Sequence, residues 1–402
     1  MLKIFLALLA LVSITGYGEE ADLQQPVSDS ERLPLQELRL FTQVFEQVRT
    51  GYVKELSDVQ LFDKAIEGLL ASLDPHSTYL NQQDYKQLEE HTSGDYSGLG
   101  MEITIDQGLI QVVAPIDGSP AAKAGIQAGD FIVEIDNEPV RGIILQKAIA
   151  KLRGEKGSII TLGILREDET ATLEFTVKRD IIHINSVRNK ILEEGFGYIR
   201  IAQFQTDSGS EFKTALSELQ ADGPLQGLVI DLRNNPGGLL PMSIEIADAL
   251  IDKGMLVYTE GRLPSANQQF NATPGDMMNE APVVVMIDGG SASASEIVAG
   301  ALQDQGRAVI LGTQSFGKGS VQTVMPLGDG RAIKLTTARY FTPSGRSIQG
   351  EGIVPDIVVE PTDTGADNTD NQLQAAVDQL KKLNAGDQEP LATLEQDIEL
   401  TQ

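Results

Sequence analysis

Pro282-Val-Val-Val-Met-Ile-Asp288-Gly289-Gly290-Ser291-Ala292-Ser293-Ala294-Ser295-Glu296 reads as a buried strand, a tight turn and the opening of a helix. The unbroken apolar run has no polar face, so the strand belongs inside a sheet covered on both sides. Serine and glycine ahead of a helix most often serve only as caps. The same position also has unpaired N–H groups and the positive end of the helix dipole. Such an end stabilises the oxyanion that forms when a serine attacks an amide. From the residues alone, Ser291, Ser293 and Ser295 are equal candidates for that attack.

The surrounding pattern extends this unit in both directions. Further strands are predicted at 197–201, 228–232, 309–312 and 332–341, and helices at 208–219, 241–250 and 293–303. Apolar strands alternating with helices imply an α/β sheet core, placed here at 182–360. Between 94 and 180 the texture changes to short strands at 99–105, 110–114, 131–135, 159–166 and 171–178, with helices at 121–124 and 145–152. Glycines punctuate that stretch, as expected of a small β-rich domain. Helical periodicity at 35–52 and 59–73, the second run ended by Asp74-Pro75, defines an N-terminal helical region at 30–92. An acidic tail at 361–402 contains one amphipathic helix near 373–383. The predicted fold class is therefore α/β and multidomain.

Composition narrows the chemistry. The 402 residues include 31 basic and 58 acidic ones, a formal charge of −27. That balance argues against nucleic acid and against electrostatic docking on anionic lipid. No cysteine is present, which removes thiol nucleophiles, thiolate metal sites and disulfides. His76, His91 and His183 are the only imidazoles and no HExxH pair occurs, so no metal site is expected. Lys3, an apolar run to Ile14 and the small residues Gly16 and Gly18 fit a secretory signal peptide at 1–18. The run is short for a spanning helix. Export is expected, to a bacterial periplasm, with peripheral membrane association if the segment is retained.

Two other segments bear on the chemistry of the serine turn. In Phe316-Gly317-Lys318-Gly319-Ser320-Val321-Gln322, glycines on both sides of a lysine allow close backbone approach and burial of the amine. Free lysine titrates near 10.4, so a lysine acting as base near neutrality needs desolvation. A phosphate loop is rejected because GxxxxGK[ST] is absent. Asp231-Leu-Arg233-Asn-Asn-Pro236-Gly237-Gly238 follows a buried strand, and its paired glycines permit a strained turn with exposed N–H donors.

Together these segments, in this order and at this spacing, resemble the carboxyl-terminal processing proteases, a serine-lysine peptidase family, over about 35–360. The resemblance implies serine endopeptidase activity without a cofactor. It places the nucleophile on Ser293, the general base on Lys318 and a lysine-orienting group on Gln322. It puts the oxyanion donors at the N–H groups of Gly237, Gly238 and Ala294. Many relatives carry Asn where this chain has Asp288, a departure that bears on the local turn.

The 94–180 region resembles a PDZ domain. Ser97-Gly98-Leu99-Gly100-Met101 is similar to its carboxylate-binding loop, and Ser119-Pro120-Ala-Ala-Lys-Ala-Gly125 is a common PDZ signature. Gly98, Leu99, Gly100 and Met101 are thus the expected peptide-binding residues, and Arg153 resembles a position that couples the two domains. Expected partners are protein or peptide substrates with free C-terminal tails, an adaptor protein, and further copies of this chain. Two other classes compete: a PDZ scaffold with an inactive peptidase half, and a Ser-His-Asp esterase. The intact Ser293, Lys318 and Gln322 oppose the first. The lack of a GxSxG elbow and of any histidine in the C-terminal half opposes the second.

Overall fold

The computed structural model describes residues 34–106, 108–116, 118–167, 169, 171–362 and 370–385. The signal peptide expected at 1–18 and the end of the acidic tail lie outside them. The chain divides into two compact units at Gly68. The first contains the helix Leu35–Gly51 and most of the helix Asp58–Ala71, close to the two predicted runs. Phe45 and Phe62 stack with ring centroids 4.5 Å apart, which holds the pair together. Among the described residues no helix is long and apolar enough to cross a membrane.

The second unit is organised by a six-stranded sheet. Its order is Val187–Ile191, Phe196–Ile201, Gly227–Asp231, Val283–Ile287, Val309–Gly312 and Ile357–Val358, parallel except for the first strand. Side chains alternate between two cores, as strand geometry requires. Val283, Val285, Ile287, Leu228 and Ile230 pack under the helices Ser208–Leu219, Leu240–Asp248 and Ala294–Asp304. Val284, Met286, Val229 and Leu311 face the other way, against Ala376, Val377 and Leu380. These last three lie on the helix Asn371–Asn384. The helix that the sequence places in an acidic tail therefore closes the second face of the sheet. The uninterrupted apolar strand needs that cover.

A second sheet is antiparallel and joins Thr78–Leu80, Arg331–Phe341, Met255–Gly261 and Gln268–Asn271, with Ser320–Gly328 also paired to Arg331–Phe341. Only its strand at 332–341 is predicted from sequence. The others mix polar and apolar residues without regular alternation, Ser320–Gly328 being mostly solvent-facing. The helix Gln82–Ser93 is also unpredicted, because it buries no residue and so has no apolar stripe to reveal it. It is marked instead by its ends. Asn81 Oδ1 accepts the Gln83 and Asp84 N–H groups, and Gly94 terminates it at φ +78°.

The β-rich domain is a separate antiparallel sheet, ordered Met101–Asp106, Leu109–Pro115, Phe131–Ile135, Ile159–Leu165 and Leu173–Lys178. The helices Pro120–Ala124 and Leu145–Leu152 accompany it. It is attached through a two-stranded stem in which Asp95–Gly98 pairs with Asp180–His183.

Candidate active site

The turn after Val283–Ile287 gives the three serines different surroundings. Ser291 and Ser295 are fully buried. Their hydroxyls donate to backbone carbonyls, Ser291 Oγ to Leu232 O at 2.8 Å and Ser295 Oγ to Asn235 O at 2.9 Å. Ser293 keeps 8% exposure, and its hydroxyl donates to no described residue. Its backbone is strained, with φ 56° and ψ −110°. A non-glycine residue holds such angles only when its surroundings impose them.

Those surroundings are the Gly237 turn and Glu296. A side chain at Gly237 would lie 2.6 Å from Ala292 O and 2.9 Å from Ser293 Cβ, so only glycine lets the two turns meet. Ala292 N–H donates to Asn235 O at 3.0 Å. Asp288 Oδ1 accepts the N–H groups of Asn234 (2.8 Å) and Gly290 (2.9 Å). The turn requires an oxygen acceptor there, which an asparagine would also provide, so Asp288 preserves the geometry.

Glu296 is the residue that sequence reading passed over. It lies in the first turn of Ala294–Asp304 and is completely buried. Its carboxylate accepts Ser293 N–H at 2.7 Å, Ser315 Oγ–H at 2.6 Å, Gly317 N–H at 2.6 Å and Lys318 N–H at 2.9 Å. One atom, Oε2, thus binds the backbone nitrogens of both Ser293 and Lys318. The available signal was a glutamate three residues after a serine at a helix start, the capping-box spacing. Nothing in that spacing reveals its second function of holding a loop 20 residues further on.

The lysine segment threads tightly past the loop at 348–352. A side chain at Gly319 would meet Gln349 N at 2.4 Å, and Gly317 adopts φ +90° beside Gly350. Lys318 is half-buried, and its amine finds no acceptor among the described residues. Burial pushes its pKa below the ordinary lysine value, the nearby Lys334 charge lowers it further, and Glu296 partly opposes both. Gln322 lies at an irregularity in the pairing of Ser320–Gly328 with Arg331–Phe341. Its amide donates to Ser320 Oγ at 2.9 Å and is not bonded to Lys318.

The three expected oxyanion donors also differ. Gly237 N–H is occupied by Asn235 Oδ1 at 2.9 Å. That donor is paired within its own turn. Gly238 is exposed at φ +146° with its N–H unpaired among the described residues, and Ala294 opens a helix, where N–H groups lack intrahelical partners. Upstream, the buried Asp231 accepts Tyr198 Oη at 2.8 Å and is paired with Arg200 and Arg233. Arg233 reaches on to Asp370, tying this turn to the covering helix.

In the β-rich domain, Gly100 has φ +73°, and a side chain there would lie 2.5 Å from Ser119 Cβ. Leu99 is 2% exposed and packs in the domain core, whereas Met101 is half-buried on the first strand. Arg153 pairs with Glu90 at 3.1 Å and lies 4.9 Å over the Tyr96 ring. His76 is in a turn where Asp74 Oδ1 accepts its N–H at 2.7 Å, and the same turn bonds Thr336, the register partner of Gln322.

Comparison with known proteins agrees with this architecture. Residues 195–359 match Peptidase family S41, 111–166 match the PDZ domain, and 9–84 match the Activating protease CtpB N-terminal domain. The chain is 48% identical over 340 residues to the carboxy-terminal-processing protease of Bartonella bacilliformis, covering 84% of this chain and 78% of that one. It is 38% identical over 396 residues to the carboxyl-terminal-processing protease of Picosynechococcus sp., covering 93% and 94%. In fold it is similar to an S41 protease candidate from Bacteroides fragilis, at TM-score 0.53 and 19% identity, covering 86% of this chain and 97% of that one. With a PDZ domain set before an S41 sheet, and with relatives this similar over most of both lengths, the chain belongs to the carboxyl-terminal processing proteases, which are serine proteases.

Proposed function

We propose that this chain cleaves exported proteins by acyl transfer, with Ser293 as nucleophile and Lys318 as general base. The neutral amine takes the hydroxyl proton as Ser293 Oγ attacks the scissile carbonyl, the resulting ammonium returns it to the departing amine as the C–N bond breaks, and water then hydrolyses the ester to release the acid and restore Ser293. The observation that carries this reading is the single Glu296 oxygen bound to the backbone N–H groups of both residues. Two loops held by one buried carboxylate have their relative position set before substrate arrives, which is what oriented catalysis requires. The unpartnered, half-buried amine and the strained serine backbone add support.

Gly238 and Ala294 are the N–H donors proposed for the oxyanion. Gln322 donates one N–H to Ser320, and its amide oxygen is the group proposed to orient the Lys318 amine in the substrate-bound state. The loop Gly98–Met101 is proposed to take a substrate's C-terminal carboxylate, Arg153 to couple that event to the helix Gln82–Ser93, and the periplasm to be the site of action.

The test uses two variants and two substrates. Ser293→Ala and Lys318→Ala should each abolish cleavage of an unfolded substrate while retaining fold and tail binding. Near-normal cleavage by either would overturn the dyad. Tail reading predicts slower cleavage of a substrate with an amidated C-terminus below saturation. Equal rates for free and amidated forms would remove the PDZ loop from substrate selection.

A further inference from the structure

Against a formal charge of −27, one groove on the PDZ domain is positive. It runs between the helix Pro120–Ala124 and the strand Leu173–Lys178, has a volume of about 650 Å³, and is lined by Lys123, Lys156, Lys178, Thr176 and Asp180 among others. Arg179 forms a wall of the groove and is already committed, donating to Leu152 O, Lys151 O and Ser158 Oγ at 3.0 Å each. Three exposed lysines therefore face one carboxylate. Lys156 pairs with Asp180 at 3.3 Å, and the charge of Lys123 also acts on that carboxylate. Lys178 has no ion-pair partner among the described residues, which leaves the groove with a surplus of positive charge.

The strand beneath those lysines is the last in its sheet: among the described residues Leu173–Lys178 pairs with no strand but Ile159–Leu165, and the helix Pro120–Ala124 packs close along it. Thr176 and Lys178, two residues apart, project to the same side. An extended chain can lie along a groove of this kind, selected by the charged side chains that line it. None of the residues lining the groove belongs to the carboxylate loop Gly98–Met101 or to the helix Leu145–Leu152.

We propose that this groove is a second peptide-binding site of the PDZ domain, taking an extended acidic segment of a protein partner. The acidic side chains would replace Asp180 on Lys156 and meet Lys123 and Lys178. The site operates independently of tail capture, so one partner can be held at its terminus and at an internal acidic stretch together. The inference does not depend on the Ser293–Lys318 chemistry, and its test reads binding alone.

The probe is a dye-labelled twelve-residue peptide alternating Glu and Val, amidated so that the carboxylate loop is not engaged. Fluorescence anisotropy with the full chain carrying Ser293→Ala measures its affinity. Binding should be detectable at low salt and weaken severalfold on raising salt, because exposed charges are screened. Replacing Glu by Gln in the peptide, or Lys123→Gln with Lys178→Gln in the protein, should each weaken it about tenfold, as two or three ion pairs of this class would. Undiminished affinity in the double variant would overturn the proposal. So would binding of vesicles rich in anionic lipid but not of the peptide, which would identify a lipid-facing patch. Absence of any peptide binding would overturn it as well and leave the lysines as a solvated surface.

Discussion

Glu296→Gln removes one charge and almost no volume from the most heavily used carboxylate near Ser293. Four donors converge on Glu296: Ser293 N–H, Ser315 Oγ–H, Gly317 N–H and Lys318 N–H. A glutamine retains one oxygen and places an NH2 group where the other stood, whichever way the amide turns. In the Oε2 position that group faces two backbone N–H donors, and in the Oε1 position it faces Gly317 N–H and a Ser315 hydroxyl that can turn to accept, so one or two donors are stranded. Each buried group so stranded costs about 1–3 kcal/mol, roughly 1–6 kcal/mol in all. Set against a whole-protein stability of about 5–15 kcal/mol, the variant should fold but unfold earlier. The damage falls on the Ser293 elbow or on the Gly317 loop, so one moves relative to the other. Misplacement by about 1 Å costs on the order of 100-fold in rate. We therefore predict that kcat on an unfolded substrate falls about 100-fold with a smaller change in KM, while tail-peptide binding is retained. Steady-state kinetics and a urea titration followed by circular dichroism measure both effects. Wild-type kcat together with an unchanged unfolding midpoint would refute the argument that Glu296 positions the two loops.

Three further outcomes follow from the site and its supports. Activity should rise with pH through the depressed pKa of Lys318, since only the neutral amine accepts a proton, and Lys334→Gln should move that rise to higher pH; an optimum near pH 5 in a folded enzyme would contradict a lysine base. His183 bonds Glu211 at 3.0 Å and Asp95 at 2.9 Å, and these raise its pKa. A raised histidine stabilises fully below its unfolded value near 6.5 and progressively less as pH climbs through the folded value, so His183→Gln should flatten the loss of stability that sets in as pH rises past about 6.5 in pH-dependent melts. Gly237→Ala, whose new methyl would lie 2.6 Å from Ala292 O at φ +98°, should abolish turnover and lower the melting temperature; an active, equally stable variant would show that the two turns do not need their close approach.

Much of this molecule was legible before folding. The α/β core followed from apolar strands alternating with helices, because a strand without a polar face demands cover on both sides, and Val283–Ile287 is buried at every residue. The β-rich domain followed from short strands and frequent glycines, and its predicted helix at 145–152 coincides with Leu145–Leu152. Where apolar periodicity was weak, the reading failed. The helix Gln82–Ser93 buries nothing, and the strand Ser320–Gly328 is largely exposed, so neither carries a pattern that hydrophobicity can reveal.

Choosing among residues of one type required the tertiary structure. Ser291, Ser293 and Ser295 are chemically identical in the chain, and resemblance alone singled out the middle one. Their hydrogen bonds differ because Leu232 and Asn235, some 60 residues away, present carbonyls to the outer two. Gly237 and Gly238 are adjacent, yet Asn235 occupies one N–H and leaves the other exposed. Glu296 drew no attention in the sequence, yet it binds both the start of its own helix and a distant loop. Local sequence determines which elements form, since period and capping act over a few residues. Which hydroxyl, amine or N–H is left without a partner depends on groups brought together from across the chain, and that is decided only when the sheet has assembled.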